Sequence, residues 1–215
     1  MAHGQFISFE GGEGAGKSTQ SRLLCRRLET FGIEALATRE PGGSAGAEEI
    51  RALLVTGQVD RWDPLTEALL HTAARHDHVQ RTILPALERG VWVITDRFSD
   101  STLAYQGYGQ GVDFDKLNRL EEFTAAAAMP DLTLILDLPV ADGFARTERR
   151  ADGASRYEQM DRAMHVRMRE GFLKIARAKV ARCRVIDAAS DSDSVHQEVW
   201  RLVQERFRIE AKQND

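Results

Sequence analysis

Apolar residues along this chain recur with two different spacings. Short runs rich in β-branched and aromatic residues, Gln5–Phe9, Glu34–Ala37, Val91–Thr95, Leu132–Leu138 and Arg184–Ile186, read as strands. Within them V-W-V-I-T and L-T-L-I-L are almost unbroken apolar runs, the pattern of strands covered on both faces. The longer stretches Lys17–Phe31, Ala47–Val55, Pro64–Arg89, Phe114–Ala127, Val140–Arg149, Arg156–Val180 and Ser194–Ile209 carry helical spacing. Strand and helix alternate, which predicts an α/β fold: three α/β/α layers around five mostly parallel strands. Two stretches break the rhythm, Q-G-Y-G-Q-G from Gln106 to Gly111 and T-E-R-R-A-D-G-A-S-R from Thr147 to Arg156. Both are more glycine-rich or more charged than an ordinary connection, and both read as mobile functional loops.

Composition narrows this picture without redirecting it. At 215 residues the chain suits one domain with insertions, spanning 1–215. A hydrophobic fraction of 42% supports a sizeable core. The formal charge of −4 argues against broad electrostatic binding to nucleic acid or membrane, while leaving room for a local basic pocket. Cys25 and Cys183 fall at apolar helix and strand positions and read as buried thiols. The N-terminus lacks a charged and apolar leader pattern, and no run approaches the ~20 apolar residues of a membrane span, so a cytoplasmic location is expected.

The first sharp chemical signal is F-E-G-G-E-G-A-G-K-S-T from Phe9. Gly11-x-x-x-x-Gly16-Lys17-Ser18 fits the P-loop pattern, with a strand before it and a helix after it. Backbone N–H groups converge on phosphate oxygens only where no Cβ intrudes, and the following helix turns its N-terminal dipole toward the anion. The ATP-binding segment is therefore Gly11, Gly12, Glu13, Gly14, Ala15, Gly16, Lys17, Ser18 and Thr19. Lys17 is expected to reach the β- and γ-phosphates, Ser18 to ligate Mg²⁺, and Thr19 to meet the α-phosphate or cap the first turn. This makes the predicted architecture a P-loop NTPase-type fold. No N-K-x-D guanine-reading element occurs, and the strand V-W-V-I-T ends in Asp96-Arg97 rather than in a Walker-B acidic pair.

Asp96 and Arg97 follow a buried strand on its C-terminal side, where open α/β sheets bind ligands. Asp96 can hold a magnesium-bound water and Arg97 can grip a phosphate bidentately. Further arginines, Arg39, Arg51, Arg75, Arg149, Arg150 and Arg156, occupy candidate loops and helix ends. As a set they suit an enzyme that neutralises two phosphate-bearing substrates. A monophosphate acceptor is already ionised near neutral pH, its second pKa being about 6, and needs no general base. No Ser-His-Asp or metal-ligand constellation is evident.

These segments together resemble the bacterial thymidylate kinase family. F-E-G-G-E-G-A-G-K-S-T, T-R-E-P-G-G, D-R-F-S-D-S-T-L-A-Y-Q-G and P-D-L-T-L-I-L-D follow in family order and spacing, from about Phe6 to Glu158. R-E-P-G-G and S-x-x-A-Y-Q-G belong to this family rather than to P-loop proteins at large. The resemblance implies transfer of the ATP γ-phosphoryl to dTMP with Mg²⁺, and a homodimer. It implies that Glu13 faces the acceptor sugar and that Arg39, Arg51 and Arg97 surround the dTMP phosphate. Arg75, Ser101, Thr102 and Gln106 would then meet thymine, and Tyr105 would crowd the 2′ position. The basic segment, about 147–158, resembles the family's lid. Because no arginine lies between Gly12 and Ala15, the catalytic arginine is expected from that lid: Arg149 or Arg150, then Arg156, acting with Lys17 and Arg97. Glu158 is expected to help the magnesium site beside Ser18 and Asp96.

The chain also departs from the family pattern. His71 stands in L-L-H-T-A where many members carry a phenylalanine that stacks on thymine, and the lid reads S-R-Y-E instead of D-R-x-E. The imidazole can still stack, with a smaller face and a titratable nitrogen. That substitution keeps a kinase of another deoxynucleoside monophosphate as an alternative. A regulatory nucleotide-binding module is a second alternative, opposed by the intact Lys17, Asp96 and Arg97. His76 and His78 read as solvated or structural.

Overall fold

The computed structural model describes residues 3–125, 127–148 and 156–210. Five parallel strands, β1 (Phe6–Gly11), β2 (Ala35–Arg39), β3 (Trp92–Asp96), β4 (Leu132–Asp137) and β5 (Cys183–Asp187), lie in the order β2-β3-β1-β4-β5. β1 is central: Phe9 is level with Asp96 of β3 on one side and with Leu134 of β4 on the other. That register brings Gly11 and Asp96 out at the same end of the sheet, where chain order reverses and a crevice opens.

Period-two alternation divides the strand side chains between two apolar layers, although both faces are covered. Ile7, Phe9, Ile94, Leu134 and Leu136 pack with Leu24 and Leu28 of α1 (Lys17–Thr30) and Val199 and Val203 of α9 (Ser192–Phe207). On the opposite face Ile135 meets Met168 and Phe172 of α8 (Arg162–Ala178), and Phe6 and Val93 meet Val79, Ile83 and Phe98. Each such fully buried side chain contributes about 1.5–3 kcal/mol. This is the three-layer α/β/α arrangement that the two spacings predict. The two cysteines are free and buried, as their apolar settings indicate.

Local chemistry sets the helix boundaries. Asp63 caps α3 (Pro64–His78) by accepting from Leu65 N and Thr66 N, with Pro64 in the first turn, where its missing N–H costs nothing. Downstream, the helix expected to run unbroken to Arg89 widens into a π-helical stretch, Val79–Ile83, before α4 (Leu84–Glu88). Pro85 is the cause: it has no N–H to donate to the preceding turn, and its ring crowds that turn's carbonyl. α8 begins at Arg162, later than the expected Arg156, because Asp161 caps it through Ala163 N.

The Q-G-Y-G-Q-G stretch is not the mobile loop its glycines suggest. Short α5 (Ser99–Thr102) runs directly into a π-helical turn, Leu103–Gly109, most of which is buried. Here glycine serves close approach: a Cβ on Gly107 would lie 2.7 Å from the Phe114 ring of α6 (Phe114–Ala125). α5 is tied down by Asp100, whose carboxylate accepts from Lys179 Nζ at 3.0 Å and Arg182 Nη1 at 2.6 Å. The remaining helices, α2 (Ala45–Val55) and α7 (Val140–Glu148), flank the crevice. None of the helices of the described residues is long and apolar enough to cross a membrane.

Candidate active site

The crevice is built first from backbone. β1 delivers the chain into a turn at Gly11, and α1 starts at Lys17 behind Gly16. Gly14 sits at φ +71°, and a Cβ there would lie 2.4 Å from the carbonyl oxygen of Gly143 in α7, so only glycine fits. Lys17 Nζ donates to Gly12 O at 2.7 Å, curling the side chain over the loop. Burial, followed by repulsion from Arg97, brings Lys17 down to about 8 despite the pull of Glu13 and Asp96. Ser18 Oγ donates to Asp96 Oδ2, joining the start of α1 to the end of β3.

Arg97 is the hinge of the site. It holds φ +74°, a strained conformation for a non-glycine residue, immediately after β3. The strain is overdetermined by Glu10, which is buried at the end of β1 and accepts from Phe98 N at 2.7 Å and Ser101 Oγ at 2.5 Å. The Arg97 guanidinium donates to Gly11 O at 3.0 Å and to Glu13 Oε1 at 2.9 Å, and it lies 4.9 Å from the centre of the Tyr105 ring. Tyr105 OH donates to the same Glu13 oxygen at 2.6 Å. Burial disfavours a charged Glu13, but Arg97, Lys17 and the Tyr105 hydroxyl outweigh it and hold the carboxyl down at about 2. Glu13 is thus an anion tied to Arg97 and Tyr105 where the loop borders both sides of the crevice.

Two cavities share these residues. A polar cleft of about 500 Å³ is lined by Lys17, Ser18, Thr19, Arg39, Arg51 and Asp96, with Gly14, Gly16, Arg22 and Glu158 at its edges. A smaller cavity of about 130 Å³ is lined by Val55, Ser101, Tyr105, Gln106 and Tyr157. Glu13, Glu40, Arg51 and Arg97 line both, so the cavities meet at the Arg97–Glu13 pair. On the other side of the loop a third cavity, about 310 Å³, runs past Gly14, Ala15, Thr19 and Gln20 to Arg146 and Ser190. The arrangement can hold a polyphosphate along the loop, a second phosphate against Arg51 and Arg97, and a flat ring between Val55, Tyr105 and Tyr157.

Known proteins decide what this arrangement belongs to. A sequence model of the family described as thymidylate kinase matches residues 9–199. The chain belongs to the thymidylate kinase family. The thymidylate kinase of Caulobacter vibrioides is 52% identical over 209 residues, covering 97% of this chain and 100% of that protein. That of Magnetococcus marinus is 48% identical over 206 residues, covering 96% and 98%. The crystal structure of thymidylate kinase from Ehrlichia chaffeensis superposes with a TM-score of 0.76 at 37% identity, over 94% of this chain and 99% of that one.

Within this thymidylate kinase fold not every expected residue reaches a cavity. Arg75 lies behind the smaller one, its Nε donating to Glu40 Oε2 at 2.7 Å and its Nη2 to Phe98 O at 3.2 Å. Thr102 is buried, with its hydroxyl unpartnered. His71 is half-buried and lines neither cavity; its Nε2 pairs with Tyr157 OH at 2.7 Å. Burial, with Arg75 and Arg156 close by, pushes His71 down to about 3, so the ring is neutral. Gly11 and Gly12 shape the loop without lining the cleft. His78 is structural, held by Thr38 at 2.8 Å and Glu40 at 3.1 Å, whereas His76 is exposed.

Arg156 requires a correction. Expected among the lid arginines over the transferring group, it is instead 1% exposed and occupied on every side. Its Nε donates to Leu54 O at 2.9 Å, Nη1 to Val59 O at 2.8 Å, and Nη2 to Glu67 and to Tyr157 OH. A guanidinium satisfied by a buried carboxylate and two carbonyls anchors the chain rather than waiting for phosphate. Arg149 and Arg150 lie outside the described residues.

Glu10, Glu67 and Tyr157 are the participants that motif reading misses. A signal for Glu67 does exist. Glu67, His71, Arg75 and His78 recur at helical spacing on α3, a polar stripe that an exposed helix face would not align with a site. Tyr157 stands between two residues that attract notice for their charge.

Proposed function

We propose that the joined cavities carry out the reaction of the thymidylate kinase family: an oxygen of the dTMP phosphate attacks the γ-phosphorus of ATP, the bond to the β–γ bridging oxygen breaks, and dTDP and ADP leave. The observation that carries this reading is the meeting of a phosphate cleft and a ring-sized cavity at two arginines, Arg51 and Arg97. ATP lies along the loop with its phosphates under the amides of Gly14–Thr19 and Lys17, and its base in the cavity beside Arg146. dTMP fills the smaller cavity, its phosphate on Arg39, Arg51 and Arg97. Glu13, fixed by Arg97 and Tyr105, presents its second oxygen to the acceptor sugar.

Most of the acceleration then comes from positioning and charge neutralisation, because little covalent chemistry is asked of the protein. Lys17 neutralises the β/γ oxygens, and Arg97 holds the acceptor phosphate in line. Arg149 and Arg150 complete the set from the segment 147–158, read as a lid on one domain spanning 1–215.

The donor set suits Mg²⁺. Ser18 and Asp96 offer adjacent hard oxygens at the mouth of the loop and Glu158 lines the same cleft, while no cluster of three acidic or imidazole side chains occurs among the described residues. Magnesium is characteristically held by one or two protein oxygens together with waters and substrate phosphates. When bound, it would offset charge on the β- and γ-phosphate oxygens. We further infer a homodimer in the cytoplasm. Exposed apolar side chains such as Phe123 on α6 and Leu69 on α3 support the dimer, which a sizing measurement tests.

The test of the whole reading is ADP release with dTMP, dUMP, dCMP and dGMP as acceptors. A clear preference for dTMP is expected. Preference for another monophosphate would overturn the acceptor, and no ADP with any of them would overturn the reaction.

A further inference from the structure

Beneath the smaller cavity lies a buried carboxylate that the reaction itself does not use. Glu67, on α3, is 0% exposed. Its Oε2 accepts from Arg156 Nη2, and its Oε1 accepts from Gln106 Nε2 at 2.7 Å and from Gln110 Nε2 at 3.1 Å. Arg156 in turn cannot swing away without abandoning the carbonyls of Leu54 and Val59.

We propose that Glu67 determines which base the enzyme accepts, by fixing which end of the Gln106 amide faces the cavity. A carboxylate opposite a guanidinium only accepts hydrogen bonds, so any amide touching it must present its NH₂ group. The orientation of Gln106 therefore follows from donor and acceptor count, independent of the near-equivalence of amide oxygen and nitrogen. Gln110 shows the strength of this demand: it too turns its nitrogen to Glu67, leaving its own Oε1 buried without a partner. The Gln106 side-chain oxygen, Oε1, has no hydrogen-bond partner among the described residues and belongs to a side chain that lines the cavity. It is an acceptor in search of a donor. A pyrimidine whose ring nitrogen carries hydrogen, the imide of thymine or uracil, supplies one. Cytosine offers a lone pair at that ring position, and two acceptors then face each other, the kind of mismatch by which polar sites reject analogues.

This inference rests on dTMP binding in the smaller cavity, and the wild-type acceptor panel tests that premise first, before any variant is made. Glu67→Gln keeps the shape but can donate as well as accept, freeing Gln106 to turn over. The expected result is a fall of about tenfold to a hundredfold in the preference for dTMP over dCMP, read as kcat/KM, with the change mainly in KM and the KM for ATP unmoved. Equal losses on dTMP and dCMP, leaving the ratio intact, would overturn the proposal and make Glu67 purely structural. Should Glu67→Gln fail to fold by thermal melting, competition by N3-methylated dTMP against wild-type enzyme decides. Inhibition as strong as that of an unmethylated competitor shows that no donor is required at Gln106 and overturns the proposal. Weakening by about a hundredfold or more supports it.

Discussion

The two ends of this site are made of different material. The phosphate end is backbone: a glycine turn, the first amides of α1, and a lysine that reaches back to Gly12 O at 2.7 Å. The base end is a relay of side chains from distant parts of the chain, in which Glu67 joins Arg156 to Gln106 and Tyr157 joins Arg156 to His71. A backbone site needs a contiguous stretch with special conformations, and tolerates little variation. A side-chain relay needs only complementary donors and acceptors, so its members can be exchanged together. His71, where the resemblance leads one to expect a phenylalanine, falls in the relay, and a nearby tyrosine hydroxyl gives its ring nitrogen a partner.

The sharpest way to break this comparison is Arg156→Met. If the base end is a structural relay, removing the guanidinium strands Glu67 in the interior and destabilises the fold by about 3–5 kcal/mol. Denaturant unfolding measures this, and a saturating dTMP analogue should recover part of the loss. Unchanged stability with collapsed turnover would instead return Arg156 to the transferring phosphoryl group, as motif reading has it.

Lys17→Ala is the matching test at the phosphate end. Its side chain makes one hydrogen bond, to a loop carbonyl, so folding should survive, whereas kcat should drop by about 10²–10³-fold. A coupled assay for ADP, run beside a melting curve, separates the two effects. A fall in melting temperature as large as that of Arg156→Met would erase the proposed distinction between the ends.

The same distinction explains what could be read from the sequence. The five strands, the loop and the shared neighbourhood of Asp96 and Ser18 all rest on local pattern: apolar runs, a glycine spacing, and a strand end facing a helix start. Arg97 is visible as a charge after a buried strand, but its φ of +74° is not, since the turn it starts is held at Phe98 N by Glu10, 88 positions before that residue. Q-G-Y-G-Q-G misled because glycine marks both flexible turns and close helix packing, and only the facing Phe114 ring separates them. Arg156 misled because a basic run near a nucleotide site suggests phosphate, while its partner Glu67 lies 89 positions earlier. Pairing across such distances leaves no periodic trace.

The smallest effect, and the one that tests the exchanged residue itself, is the pH dependence of His71→Phe. In the fold His71 is held neutral to about 3, against 6.5 for an ordinary histidine, by burial and by the surrounding Arg75, Arg156, Arg97 and Arg51. Between those values the unfolded chain binds a proton that the folded one refuses, so His71 costs stability as pH falls below 6.5 and costs nothing above it. Phenylalanine cannot titrate. Whatever packing and the lost Tyr157 hydrogen bond do to stability, they do at every pH, and all other ionising groups are common to both proteins. The difference in unfolding free energy between variant and wild type should therefore shift in favour of the variant by about 1–2 kcal/mol on going from pH 8 to pH 5. Urea unfolding at the two pH values reads this shift directly. A constant difference would mean that the ring accepts a proton inside the fold, and that the base end, unlike the relay described here, opens readily to water.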